Sequence, residues 1–224
     1  MSATSWDLLA FSRGPALTAA MVVFVFGVLW RLVGVLALPS WPDHSLARAG
    51  SPSKFSAALQ AIFGKMLPHK TFLKGGMFTV VNGYVFHIGL ALCVFAFVPH
   101  ILFIKSLTGL SWPGLPNAAV YVIGGITLGS LLAALLYRLT SPVLRLITRV
   151  EDHIAWVLTF LPVLTGLAAA THVGARYETL LALHILSICA LLIWFPFGKL
   201  MHAFLFFFSR AATGVRFGHR GAQL

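Results

Sequence analysis

Residues 178–208 read ETLLALHILSICALLIWFPFGKLMHAFLFFF. Charge in this run is confined to Glu178 and Lys199. About 20 apolar residues suffice for a helix to cross a hydrocarbon core of about 30 Å. Four further runs satisfy the same condition, at 15–38, 78–104, 117–137 and 153–171. The composition of the whole chain agrees. Of 224 residues, 59% are hydrophobic and 9% charged, with a mean hydropathy of +0.92, against about 25% charged residues in an average soluble domain. A compact soluble chain of this length could not hide so much apolar surface. Disorder, collagen and a disulfide scaffold are excluded on the same ground. The expected fold is all-α: a polytopic membrane protein of five transmembrane helices, one integral-membrane domain over 1–224 with a basic tail at 209–224. The first run is too long for a signal-peptide core and no clear small-residue cleavage site follows it, so it is read as a retained helix.

The charge distribution predicts the orientation. Sixteen Lys and Arg face five Asp and Glu, a formal net charge of +11. The cations lie between apolar runs, which points to topology rather than nucleic acid. Segment 39–77 carries Arg48, Lys54, Lys65, Lys70 and Lys74; segment 138–152 carries Arg138, Arg145 and Arg149; the tail carries Lys199, Arg210, Arg216 and Arg220. The opposite side has Arg13, Lys105 and Arg176. The positive-inside rule then puts the N-terminus outside and the C-terminus in the cytoplasm; the location expected with the resemblance described below is a bacterial inner membrane. Within 39–77, Phe55, Ala58, Leu59, Ile62, Phe63 and Met66 recur at helical spacing behind Pro52 and a Ser53 N-cap. This predicts a short amphipathic cytoplasmic helix between spans 1 and 2, lying on the inner membrane face or docking a partner. Gly124, Gly125 and Gly129 in the third span read as close helix packing.

Chemistry has few places to reside. Cys93 and Cys189 sit singly in apolar runs, with no CxxC spacing for zinc, an iron–sulfur cluster or c-type haem attachment. Four of nine histidines fall inside spans, where polar side chains are costly and often functional. His87 and His202 lie toward the cytoplasm, His100 and His184 toward the outside. If the fifth span is one helix, His184 and His202 are five turns apart, about 27 Å, on one face. That is the arrangement two stacked haems need, each iron taking one imidazole from each of two helices. His87 and His100 are about 20 Å and 140° apart on an ideal helix, so His87/His202 is the better-matched pair. Pro99 can kink the second span and re-aim His100. A proton pathway and interhelical packing are the other readings of the four. His44, His69 and His219 are read as solvated, His153 as part of an interfacial ion pair with Glu151 and Asp152, and His172 as a reserve ligand for the outer site.

The stretch 183–202, LHILSICALLIWFPFGKLMH, resembles the last span of the respiratory nitrate reductase gamma subunit family: two histidines 18 apart and a Pro-Phe-small-basic-Leu-x-His ending. The tail FSRAATGVRFGHRG (208–221) is similar to members of that superfamily linked to sulfur metabolism and heterodisulfide-reductase-like modules. The resemblance implies a membrane cytochrome b with two b haems, one at minimum. His87 and His202 would ligate the inner haem, and His184 with a second-span histidine the outer one. The family places its second-span histidines ten apart; position 97 here is Phe97, so His100 would substitute. Further implications are an exchangeable quinone, an electron-transfer rather than terminal catalytic role, and a cytoplasmic iron–sulfur partner subunit. Lys105 would hydrogen-bond a quinone oxygen or snorkel to the surface. Arg31 would meet a haem propionate or snorkel inward. The basic tail would bind anionic lipid or the partner. The readings kept beside this one are a non-redox scaffold, a transporter component and a single-haem cytochrome b.

Overall fold

The computed structural model describes residues 3–39, 44–64, 66 and 70–221; Lys65 and His69 lie outside the described residues. The described secondary structure is entirely helical, and five helices are long and apolar enough to cross a membrane: Asp7–Leu36, Gly75–Phe95, Asn117–Thr140, Val150–Thr171 and Tyr177–Trp194. The chain is a multi-pass all-α membrane protein with a short helix between its first two spans. The first span is α1 (Ala3–Phe11) and α2 (Leu17–Leu36), joined through a π turn at Ser12–Ala16. Pro15 sits in that turn, where its missing amide would otherwise have served the helical ladder.

Two expected spans are interrupted. The second is α4 (Lys70–Phe95) followed by α5 (Val98–Thr108), with Pro99 in the first turn of α5. The fifth ends as α9 (Tyr177–Trp194); after Phe195–Gly198 a short 3₁₀ turn, Lys199–Met201, leads into α10 (His202–His219). Pro196 cannot donate to the ladder and Gly198 favours the break. His184 and His202 therefore stand on different helices. The five-turn relation expected of them does not hold, because it required the ladder to run through Pro196.

Two compact units divide the chain. The first comprises residues 1–24 and 78–194. Its helices α6 (Asn117–Thr140), α8 (Val150–Thr171) and α9 pack in succession, and α1 packs on α9. Lipid offers no hydrophobic drive for helix association, so small residues and interhelical hydrogen bonds carry it. Asn82 Nδ2 donates to the Ser130 carbonyl at 3.0 Å, Trp156 Nε1 to Leu131 at 2.9 Å, and the Tyr121 hydroxyl to Ala170 at 2.9 Å. A side chain at Gly89 would collide with Thr127 Oγ1. Gly124 packs as expected, within reach of Leu167 and Cys93, whereas Gly125 and Gly129 have open space above them. Arg149 N donates to Asp152 Oδ2 at 2.9 Å at the head of α8, and Asp152 also pairs with Arg138 at 3.9 Å. The six-residue α7 (Pro142–Ile147) lies between α6 and α8.

The second unit comprises residues 25–77 and 195–224. Here α3 (Lys54–Phe63) packs along α10. Ser53 caps α3 as expected, accepting from Ser56 N at 3.2 Å. The contact face is its small one. Ala57 and Ala61 are buried against Gly214 and Gly218, and a Cβ on Gly214 would stand 2.5 Å from the Ala57 carbonyl oxygen. Gly27 is a similar seat for the buried Pro196, whose Cγ would lie 2.5 Å from a Cβ there.

Candidate functional site

Unit 1 brings together His100 and His184. The local cause is Pro99. In an unbroken helix residue 99 would donate its amide to the Phe95 carbonyl, and proline has none. The loop after α5 takes up the acceptors left behind: Trp112 Nε1 donates to Phe95 O at 2.5 Å and Leu115 N to Ala96 O at 2.8 Å. The Cys93 carbonyl, beside the break, accepts from His100 Nδ1 at 2.8 Å. That contact spans seven residues, about 10 Å of rise in a continuous helix, so the break makes it available. The His100 ring then lies 6.1 Å, centroid to centroid, from the His184 ring, with planes 19° apart. The Phe97 ring meets His100 edge-on at 5.3 Å.

His184 is seated by α8. Thr165 Oγ1 directs its hydrogen at the Leu161 carbonyl, 2.6 Å away, which leaves its lone pairs for His184 Nδ1 at 3.3 Å. Ser187 Oγ stands 3.1 Å from Thr165 Oγ1 and donates to the carbonyl of His184 itself at 2.7 Å. Gly166 makes the bed on which the ring rests: a Cβ there would fall 2.8 Å from His184 Cε1 and 3.1 Å from Nδ1. Residue 166 must lack a side chain for the imidazole to occupy this place.

The two remaining candidates are divided between the units. His87 is on α4 in unit 1, His202 at the head of α10 in unit 2. Their Nδ1 atoms donate to the carbonyls of Gly83 (2.7 Å) and Lys199 (2.8 Å). A carbonyl only accepts, so in His87, His100 and His202 the hydrogen is on Nδ1 and the lone pair on Nε2, and Thr165 sets the same tautomer in His184. His219 is built the other way, with Nε2 donating to the Ser45 carbonyl at 2.8 Å. His172 serves the backbone. It closes α8 in the left-handed conformation, φ 57°, with its ring 5.0 Å from that of Tyr177. Arg31 is exposed on α2 and Lys105 is exposed in the last turn of α5. His44 is exposed, as expected, and His153 is half-buried at the start of α8.

Among the described residues no group of three or more His, Cys, Asp and Glu is placed to hold a metal ion. A site built from protein ligands alone would need such a group. A haem iron can be held by as few as one or two protein side chains. Thr165, Gly166, Trp112 and the Cys93 carbonyl were not read from the sequence. The one local signal is the small and polar pair Thr165-Gly166 behind Pro162 in the middle of a mostly apolar span.

Over 208 residues, 92% of each chain, the sequence is 29% identical to a protein of Nitratidesulfovibrio vulgaris whose name states no activity. No family model and no solved structure matches the chain. Five membrane-crossing helices and this likeness fit a multi-pass protein of a bacterial membrane.

Proposed function

We propose that the chain is a di-haem membrane cytochrome b. It anchors a complex of the nitrate reductase gamma-like kind and exchanges electrons between the quinone/quinol pool and a cytoplasmic iron–sulfur partner. The observation that carries the proposal is the approach of His100 and His184. The two rings lie 6.1 Å apart, centroid to centroid, with planes 19° apart, near enough for both imidazoles to serve one bound group. The tautomer supports the same reading, since a ligating histidine almost always donates its other ring N–H to a neighbouring acceptor.

A bound haem b would supply reversible one-electron transfer. His100 and His184 are the residues that would hold the outer haem. Thr165 and the Cys93 carbonyl hold their Nε2 lone pairs in the ligating tautomer, and Gly166 lets the His184 ring into place. His87 and His202 are the proposed ligands of the inner haem. Arg31 is assigned to a propionate and Lys105 to a quinone oxygen. Cys93 and Cys189 are too few to hold a cluster, so the iron–sulfur centre belongs to a partner. The excess of cations in 39–77, 138–152 and the tail supports a C-terminus, and hence a partner, on the cytoplasmic side. The test is haem stoichiometry in His100→Ala and His184→Ala, with His172→Ala as control. Each of the first two is expected to lose one haem, and the control to keep the wild-type complement. Full occupancy in His184→Ala overturns the assignment.

A further inference from the structure

The α3–α10 pair uses its small residues for its own packing and leaves its large apolar ones outside. Ala57 and Ala61 face Gly214 and Gly218, while Phe55, Leu59 and Phe63, at positions i, i+4 and i+8 of α3, are 75%, 39% and 65% exposed. The pair is held as one body. Arg210 Nη1 donates to the Ala61 carbonyl at 3.1 Å and its guanidinium lies 5.0 Å over the Phe206 ring. The segment before α3 is stitched to the end of α10: Arg48 N donates to the His219 carbonyl at 3.1 Å, Ser51 Oγ to the same carbonyl at 3.3 Å, and His219 Nε2 to the Ser45 carbonyl at 2.8 Å. Residues 25–77 and 195–224 carry ten Lys and Arg against one acidic residue, Asp43.

We infer that this helix pair is a docking face for an anionic lipid surface, with Phe55, Leu59 and Phe63 entering the headgroup boundary and the cations carried by these two segments drawing acidic headgroups. A ridge of Phe and Leu in a strongly cationic setting has the chemistry of an interfacial helix. Chain connectivity favours a membrane over a soluble acidic partner. Six residues separate Phe63 from Lys70, the start of α4, whose membrane-crossing stretch begins five residues later at Gly75, and even fully extended those six reach only about 20–25 Å. Seven residues join the last span to α10. Both helices are thus tethered near a bilayer whichever way they point. The closeness of Ala57 to Gly214 gives the ridge a rigid base, so its apolar side chains need not refold to meet lipid.

The test uses the full chain with Cys93 and Cys189 replaced by Ala, a nitroxide at Leu59→Cys or Gln60→Cys, and nanodiscs of phosphatidylglycerol with phosphatidylcholine. Collision rates with oxygen, which concentrates in lipid, and with a water-soluble nickel chelate report where each label sits. The oxygen-to-nickel ratio is expected to be at least about twofold higher at Leu59→Cys than at Gln60→Cys, and to fall when phosphatidylglycerol is omitted. Equal ratios at the two positions place the ridge in water and overturn the inference. So does shielding of the Leu59→Cys label from both quenchers, which puts a protein on the ridge. A higher ratio that is the same in both lipids overturns the requirement for anionic headgroups. Wild-type-like mobility at a label on Phe26→Cys, elsewhere in the chain, verifies that the labelled proteins are folded.

Discussion

Gly166→Ala should displace His184 without touching its chemistry. The added Cβ would lie 2.8 Å from His184 Cε1, whereas ordinary carbon–carbon contact is about 3.5 Å or more. Either the ring or α8 must withdraw by about 0.7 Å, several times the tolerance of about 0.2 Å on a metal–ligand distance. Overpacking of this kind costs about 1–3 kcal/mol, and the better helix propensity of Ala returns at most about 1 kcal/mol of it. The fold is therefore expected to survive, while affinity at the His184 site falls by about tenfold or more. Haem titration of the purified variant, followed by absorbance and compared with a thermal melt, separates the two effects. Gly129→Ala is the control, since nothing lies within 4 Å of a Cβ there. If Gly166→Ala and Gly129→Ala retain the wild-type haem content and melting temperature alike, the bed at Gly166 has no part in placing the ring and the reasoning fails.

Three further outcomes follow from the same geometry. Thr165→Val removes the hydroxyl beside His184 Nδ1, so if His184 holds a haem as proposed it becomes a less basic ligand and the midpoint potential of that haem should rise, by about 60 mV for each tenfold change in relative affinity of the two oxidation states; Thr165→Ser should restore it, and a redox titration of the three proteins decides. Trp112→Phe leaves the Phe95 carbonyl without its indole donor and should lower stability by about 0.5–1.5 kcal/mol, read as a lower melting temperature with loss of amide protection in residues 93–101. Gly214→Leu forces α10 away from Ala57 and Ala61 and should abolish hydrogen-exchange protection of α3 while leaving that of α8 and α9 unchanged.

Hydropathy made the five spans legible, because membrane crossing demands a length and a composition that a soluble helix does not need. Ser53 before Lys54 was legible for a similar reason, since a cap is a local device, complete within four residues. The breaks were harder. Pro99 announces an interruption, yet whether His100 swings toward another helix depends on Trp112 and Leu115 taking the vacated carbonyls, and nothing in the local sequence pairs residue 112 with 95. At the fifth span the 18-residue spacing of His184 and His202 invited an ideal-helix calculation. Pro196 and Gly198 end the ladder between them, so the spacing carries no angular information. Gly166 illustrates a third limit. A glycine in an apolar helix reads as packing, and only the folded chain reveals that what it admits is an imidazole ring. The apolar stripe of α3 was visible by period, but not which face would be covered, since Ala57 and Ala61 matter only once Gly214 and Gly218 are opposite them.

The most direct measurement is the number of b haems per chain, from a pyridine haemochrome assay and a dithionite-reduced minus oxidised spectrum of the wild-type protein purified in mild detergent. The account predicts two per chain. A count of one would strike out one of the two ligand pairs, and a folded chain that takes up no haem when haem is supplied would contradict the assignment of His100 and His184 altogether.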